Sequence, residues 1–208
     1  MKTIRTVFTV MLASFLIVGT GSCVHSSPKL TPAQQAKADA ALFALWTEGQ
    51  DTSSGPQPRP GIKVSVRQIQ AILRRGANIN ATNIDDQTVL MWAAVSPSPS
   101  CVKYLISKGA RIEARDICAM TALNYAAESG CLASLQVLVR AGAHINAKSA
   151  WGCTALTLAV NTGHLNCVKY LLRHGANPNI VDERGKRSLS YANNYRAMIG
   201  VLRAAGAK

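Results

Sequence analysis

Thiols and imidazoles carry most of the chemistry this chain could do, and four of them fall in one stretch: Cys153, His164, Cys167 and His174. Thiolate and imidazole are the ligands zinc prefers, but structural zinc sites space them in short regular pairs. These four follow no such spacing, so neither a metal nor a cofactor is expected. Catalysis lacks its parts as well. There is no HExxH, no phosphate-cradling glycine loop followed by lysine, no Ser/His/Asp grouping in a recognisable context, and no carboxylate pair. Only ten residues are acidic. The expectation is a protein that is not an enzyme. Its five cysteines after residue 23 then read first as small apolar filler.

The sixth, Cys23, stands in a different setting. Residues 1–22 open with Lys2 and Arg5 and continue in an uncharged apolar run from Val7 to Val18, then Gly19, Thr20, Gly21 and Ser22. That is the layout of a secretory signal peptide, and the run is short against the roughly 20 residues a bilayer core requires. Gly21-Ser22-Cys23 resembles the lipobox of bacterial lipoproteins, although Thr20 stands where leucine is usual. The resemblance implies acylation of Cys23. With Val24 after it, it also implies sorting to the outer membrane, with the chain facing the periplasm. Plain cleavage and a retained anchor stay open, since no Lys, Arg, Asp or Glu occurs from Thr6 to Ser27. Residues 23–31 read as a polar tether.

The remaining chain is rich enough in apolar residues (48% overall) to bury a core, but only 5% of residues are aromatic. Small and aliphatic residues must therefore fill it, which favours thin, closely packed helices. Net charge is +13, which suits nucleic acid, anionic lipid or an acidic protein. An exported chain rarely meets nucleic acid, so that partner is not expected.

Gly-Ala pairs begin at Gly76, Gly109, Gly142 and Gly175, each 33 residues after the last, and a fifth begins at Gly206. Thr88, Thr121 and Thr154 each precede one of these glycines by 21 residues. Leu90, Leu123 and Leu156 follow each threonine at the same interval, as do Ala93, Ala126 and Ala159. A period of this length marks a solenoid. The residues from Trp151-Gly152-Cys153-Thr154 through Gly163-His164 to Gly175-Ala176-Asn177 resemble the ankyrin repeat, with Pro and His of its Thr-Pro-Leu-His motif replaced. The resemblance implies an all-α solenoid of about five helix-pair repeats with protruding hairpin-like loops. Expected divisions are a degenerate repeat at 32–82 with a Pro/Gly-rich insertion at 50–61, repeats at 83–115, 116–148 and 149–181, and a short cap at 182–208.

The resemblance also implies a protein partner held on the concave face by loop tips and first helices, and a monomer. The positions that vary in such proteins are here Ile84, Asp85 and Gln87; Ile117, Met120 and Glu128; Trp151 and Asn161; and Arg184 and Lys186. Trp151, Ile117 and Met120 are large and apolar where water is expected. Trp151 reads either as a partner's anchor or as a brace on the neighbouring loop. Arg184 and Lys186 read as a rim for an acidic partner. Cys118 and Cys153, on adjacent loop tips, are candidates for a disulfide in an oxidising compartment. Arg74, Arg75, Lys108, Arg140, Arg173 and His174 each precede a Gly-Ala pair. Cations at helix C-termini complement the macrodipole. A basic edge facing anionic lipid or cell-wall polymer is the other reading.

Overall fold

The computed structural model describes residues 30–46, 64–96, 98–193 and 195–208. Cys23, the expected signal segment and the expected insertion at 50–61 lie outside them. Nine α-helices occur among the described residues, with one isolated bridge between Thr82 and Thr88 and no strand. They are α1 (Pro32–Ala44), α2 (Val66–Arg74), α3 (Val89–Ala94), α4 (Pro99–Ser107), α5 (Ala122–Glu128), α6 (Leu132–Arg140), α7 (Ala155–Asn161), α8 (Leu165–Arg173) and α9 (Arg196–Ala204). The all-α solenoid expected from the repeat is what forms. Helices α3, α5 and α7 stack into an inner row, continued by a 3-10 turn at Ser188–Tyr191. Helices α2, α4, α6, α8 and α9 stack into an outer row.

The repeated threonines start the inner helices. Thr88, Thr121 and Thr154 each accept a hydrogen bond from the backbone N–H three residues on, at 3.3–3.4 Å. Such helices are too short to persist alone. What holds them is burial: every residue of α3 is buried, and Ala93, Ala126 and Ala159 are wholly so. A helix apolar on all sides must be enclosed on all sides, and alanine at these positions lets neighbouring inner helices close together. The outer helices bury one stripe only, such as Cys101, Val102 and Leu105, or Cys167, Val168 and Leu171.

Repeats are wired to one another by side chains at fixed offsets. Asn80, Asn146 and Asn179 each accept a backbone N–H of the next repeat and donate to the carbonyl of its Gly-Ala glycine. Glu113 stands at that place in the second repeat and takes the His144 N–H and ring instead. At the N-terminal end α1 supplies the same two bonds from two residues: Asp39 accepts from Asn78 N–H, and Gln35 donates to the Gly76 carbonyl. Thr31 and Gln34 form the capping box that starts α1. The helix ends at Ala44.

The histidine of the Gly-His turn has a structural post. His164 Nε2 lies 3.1 Å from the Glu128 carbonyl, and its ring covers Gly130, where an added Cβ would come within 2.4 Å of it. Gly130 also has φ +69, so any side chain there is excluded twice. Tyr195 covers Gly163 in the same way.

Candidate functional site

Each protruding loop is a tight hairpin closed at its base by a backbone hydrogen bond: Asn83 N–H to the Gln87 carbonyl, Asp116 to Met120, Ser149 to Cys153, and Asp182 to Lys186. The first residue braces the turn from inside. Asp116 Oδ1 accepts the N–H groups of Cys118 and Met120, and Asp182 Oδ1 those of Arg184 and Lys186. Asn83 does the same with Asp85 and Gln87. The second carboxylate oxygen of Asp116 accepts the Tyr125 hydroxyl, and that of Asp182 accepts the Tyr191 hydroxyl. Burial, then the bond to Asp116, pushes Tyr125 well above the usual tyrosine range. The bond to Asp182 is the larger cause at Tyr191, pushed up to about 12. Burial alone would raise the Asp182 carboxyl. The donated hydrogen bonds from Tyr191, Lys186 and Arg184 outweigh it and hold Asp182 below its ordinary value.

The fourth repeat breaks this pattern in both partners at once. Ser149 replaces the acid, Leu158 stands where the other repeats carry Trp92, Tyr125 and Tyr191, and the buried Ser149 hydroxyl has no partner.

One backbone hydrogen bond ties each loop tip to the loop before it. Ile117 N–H donates to the Asp85 carbonyl, Ala150 to Cys118, and Glu183 to Trp151, at 2.8–3.1 Å. The tips thus form a continuous ridge along the solenoid, and its outermost side chains are apolar: Ile84 is 82% exposed, Ile117 63% and Trp151 52%. Asp85 and Asp86 lie at one end of the ridge; Glu183, Arg184, Lys186 and Arg187 lie at the other. Glu128 and Asn161, at the ends of α5 and α7, are exposed. Despite that exposure, partial desolvation of the Glu128 carboxyl raises its pKa above the ordinary value.

Two expected contact residues are turned inward. Gln87 is 5% exposed and Met120 6%. The position before the capping threonine faces the following repeat, not solvent. Gln87 shows why: its Oε1 accepts the Trp92 indole N–H at 2.8 Å, and its Nε2 donates to the Tyr125 hydroxyl of the next repeat at 2.9 Å. Lys186 holds the same position in the last described repeat and is exposed. The candidate pair Cys118 and Cys153 is not bonded in the structure. All five described cysteines are free. The ladder sets Cys118 opposite Ala150 at the tip, while Cys153 closes the base of its own hairpin. Burial, with Asp116 and Asp85 nearby, raises the Cys118 thiol, and burial raises Cys153 as well. The histidines and cysteines of the apparent metal quartet are engaged separately. His164 bonds the Glu128 carbonyl, His174 bonds the Tyr170 carbonyl, and Cys167 is buried, its thiol pushed up to about 11.

Residues 64–149 match the family described as ankyrin repeats (3 copies), and residues 151–183 match the ankyrin repeat, together more than half of the chain. The chain belongs to the ankyrin-repeat family. A search of curated proteins returned no match. Ankyrin repeats are protein-binding scaffolds, so the ridge and the exposed ends of the ankyrin inner helices are the surfaces to weigh for binding. The ankyrin loop pattern also explains a local cost. Its glycine, present as Gly152 and Gly185, is replaced by Asp86 (φ 57) and Ala119 (φ 53). A left-handed alanine is disfavoured by about 1–2 kcal/mol.

Proposed function

We propose that this ankyrin protein is a non-catalytic scaffold, exported and held at the periplasmic side of an outer membrane by acylated Cys23, where it acts as an adaptor or inhibitor. A toxin-immunity protein is one form of that role. The observation that carries the binding reading is the apolar ridge. Ile84, Ile117 and Trp151 are large, exposed, and aligned by a backbone ladder that fixes their spacing. Exposed apolar rows of this kind mark interaction sites. Trp151 lies near the middle of the ridge, with Arg184 and Lys186 beyond it to steer an acidic partner segment.

The test is affinity for the protein that co-purifies with the full chain. Trp151→Ala should weaken binding at least about tenfold, because a buried interfacial tryptophan is worth more than the corresponding 1.4 kcal/mol. Thermal stability should barely change, since the indole is half exposed. Undiminished binding by Trp151→Ala removes the ridge from the proposal. The anchor is tested separately. Wild-type protein should incorporate labelled palmitate and fractionate with membranes, and Cys23→Ser should abolish the label and leave uncleaved precursor. An unlabelled, soluble wild type would reduce the proposal to an unanchored scaffold.

A further inference from the structure

The outer row of helices carries cations and no acid. Not one Asp or Glu occurs in α2, α4, α6, α8 or α9. Exposed basic residues stand at the C-terminal end of every one of them: Arg74, Lys108, Arg140, Arg173 and Arg203. The helix dipole accounts for these. It does not account for Arg67 in the first turn of α2 or Arg196 at the first position of α9, where the same dipole opposes a cation. The ion pair found among the described residues, His144–Glu113, involves none of these cations. Asp85, Asp86 and Glu183 lie at the loop tips, and Asp116 and Asp182 are buried at the hairpin bases. The row is therefore predominantly positive, with Asp39 and Glu113 reaching its edge at the backbone N–H groups of Asn78 and His144. Shallow apolar grooves run between its helices, where Arg74 and Lys108 flank Leu73 and Tyr104, and Lys169 and Arg173 flank Leu172 and Val201.

The chain enters the fold at the same edge. Leu30 lies so close to Gly76 that an added Cβ would come within 2.4 Å of it, and it shares a groove with Lys37, Ile72 and Arg75. Seven chain steps separate Cys23 from Leu30, with six residues between them, a reach of at most about 25 Å. A chain anchored at Cys23 thus holds this edge, before any other part of the domain, beside the bilayer.

We propose that the C-terminal ends of the outer helices, with Arg74, Arg75, Lys108, Arg140, Arg173 and Arg203, form the face on which the domain rests on an anionic bilayer, next to the tether. The geometry of approach rests on the anchored reading; the attraction to anionic headgroups belongs to the face itself. Each basic residue held near such a surface strengthens binding by about fivefold, and the effect fades within a Debye length of about 8 Å at physiological salt. The acids of the loop tips are repelled by the same surface, which leaves the apolar ridge free for a protein.

Native lysines on both sides provide the probe. The full chain is reconstituted with vesicles of phosphatidylcholine, with or without phosphatidylglycerol, and lysine modification by an impermeant amine reagent is followed by mass spectrometry. Lys37 and Lys108 should react at least about threefold more slowly on the anionic vesicles, Lys186 should not change, and high salt should erase the difference. Arg74→Gln, Arg140→Gln and Arg173→Gln combined should abolish the protection of Lys108 with the helical signal intact. Equal reactivity on both vesicles overturns the proposal. So does slowing by soluble polyglutamate without slowing by anionic vesicles, which would assign the face to an acidic polypeptide. Retention on phosphatidylcholine vesicles reads the anchor alone. Retention without protection sinks the docking face and leaves the anchor standing.

Discussion

Trp92→Ala should lower the free energy of unfolding by about 3–5 kcal/mol, the range for truncating a large buried aromatic. Trp92 is 1% exposed and fills the space between the first repeat and the second. Its ring meets Phe43 of α1 edge-on, with centroids 5.0 Å apart. Its indole N–H donates to Gln87 Oε1, which also accepts from Asn83 Nδ2, while Gln87 Nε2 reaches Tyr125. One side chain thus joins the capping helix, the first hairpin and the next repeat. Trp92→Phe keeps most of the volume and forfeits the N–H, so it should cost less than the alanine variant; the difference separates packing from the hydrogen bond. Urea unfolding measures both. An alanine variant within about 1 kcal/mol of wild type would mean that α1 is not coupled to the stack through this residue.

Asp116→Ala should cost about 2–4 kcal/mol, because it strands two backbone N–H groups and removes the carboxylate that accepts the Tyr125 hydroxyl. Asp116→Asn retains an acceptor for the backbone groups and should cost less. The paired tyrosines add a pH signature. Their folded-state pKa values lie above the unfolded value, so their contribution is complete below pH about 10. It disappears as pH rises through about 12 at Tyr191 and beyond that at Tyr125. Asp182, held below its ordinary value, contributes above the usual carboxylate range, and that contribution is lost as pH falls through its folded pKa. Stability should therefore decline at both ends, and Tyr125→Phe with Tyr191→Phe should flatten the alkaline limb. An unchanged alkaline limb in that double variant would remove the tyrosine–carboxylate pairs as its cause.

The solenoid was legible because its signals are periodic and local. Thr88, Thr121 and Thr154 cap helices as their spacing indicated, and the alanines that follow lie at helix contacts. The binding surface was legible only in part. Ile84, Ile117 and Trp151 emerge where the repeat pattern puts loop tips. Gln87 and Met120 do not, because a residue's exposure at the hairpin base depends on the repeat that follows, and a pattern within one repeat does not contain that neighbour. A clue for Gln87 lay in Trp92, five residues on, whose indole N–H needed a buried acceptor. The basic edge was legible in the sequence as one of two readings, the other being the helix dipole. Each cation at a helix C-terminus has its own local explanation, and only the assembled row shows how few acids stand beside these helix ends.

The asparagine bridges run both ways between repeats, but the backbone ladder between loops has a direction that bears on the order of events when the chain is made. The loop N–H groups of Ile117, Ala150 and Glu183 reach back to carbonyls of the preceding loop, and Cys131, Ser134 and His164 likewise reach back to the preceding helix end. A chain emerging N-terminus first, from a ribosome or a translocation channel, would present each new repeat with acceptors already in place. No repeat has to wait for a distant segment, since partners lie about one period away, and short sequence separations favour rapid assembly. The capping helix α1 emerges before all of them and supplies from Asp39 and Gln35 the contacts a preceding repeat would have made. It is a starting template as well as an end cap, and its loss should delay every repeat behind it.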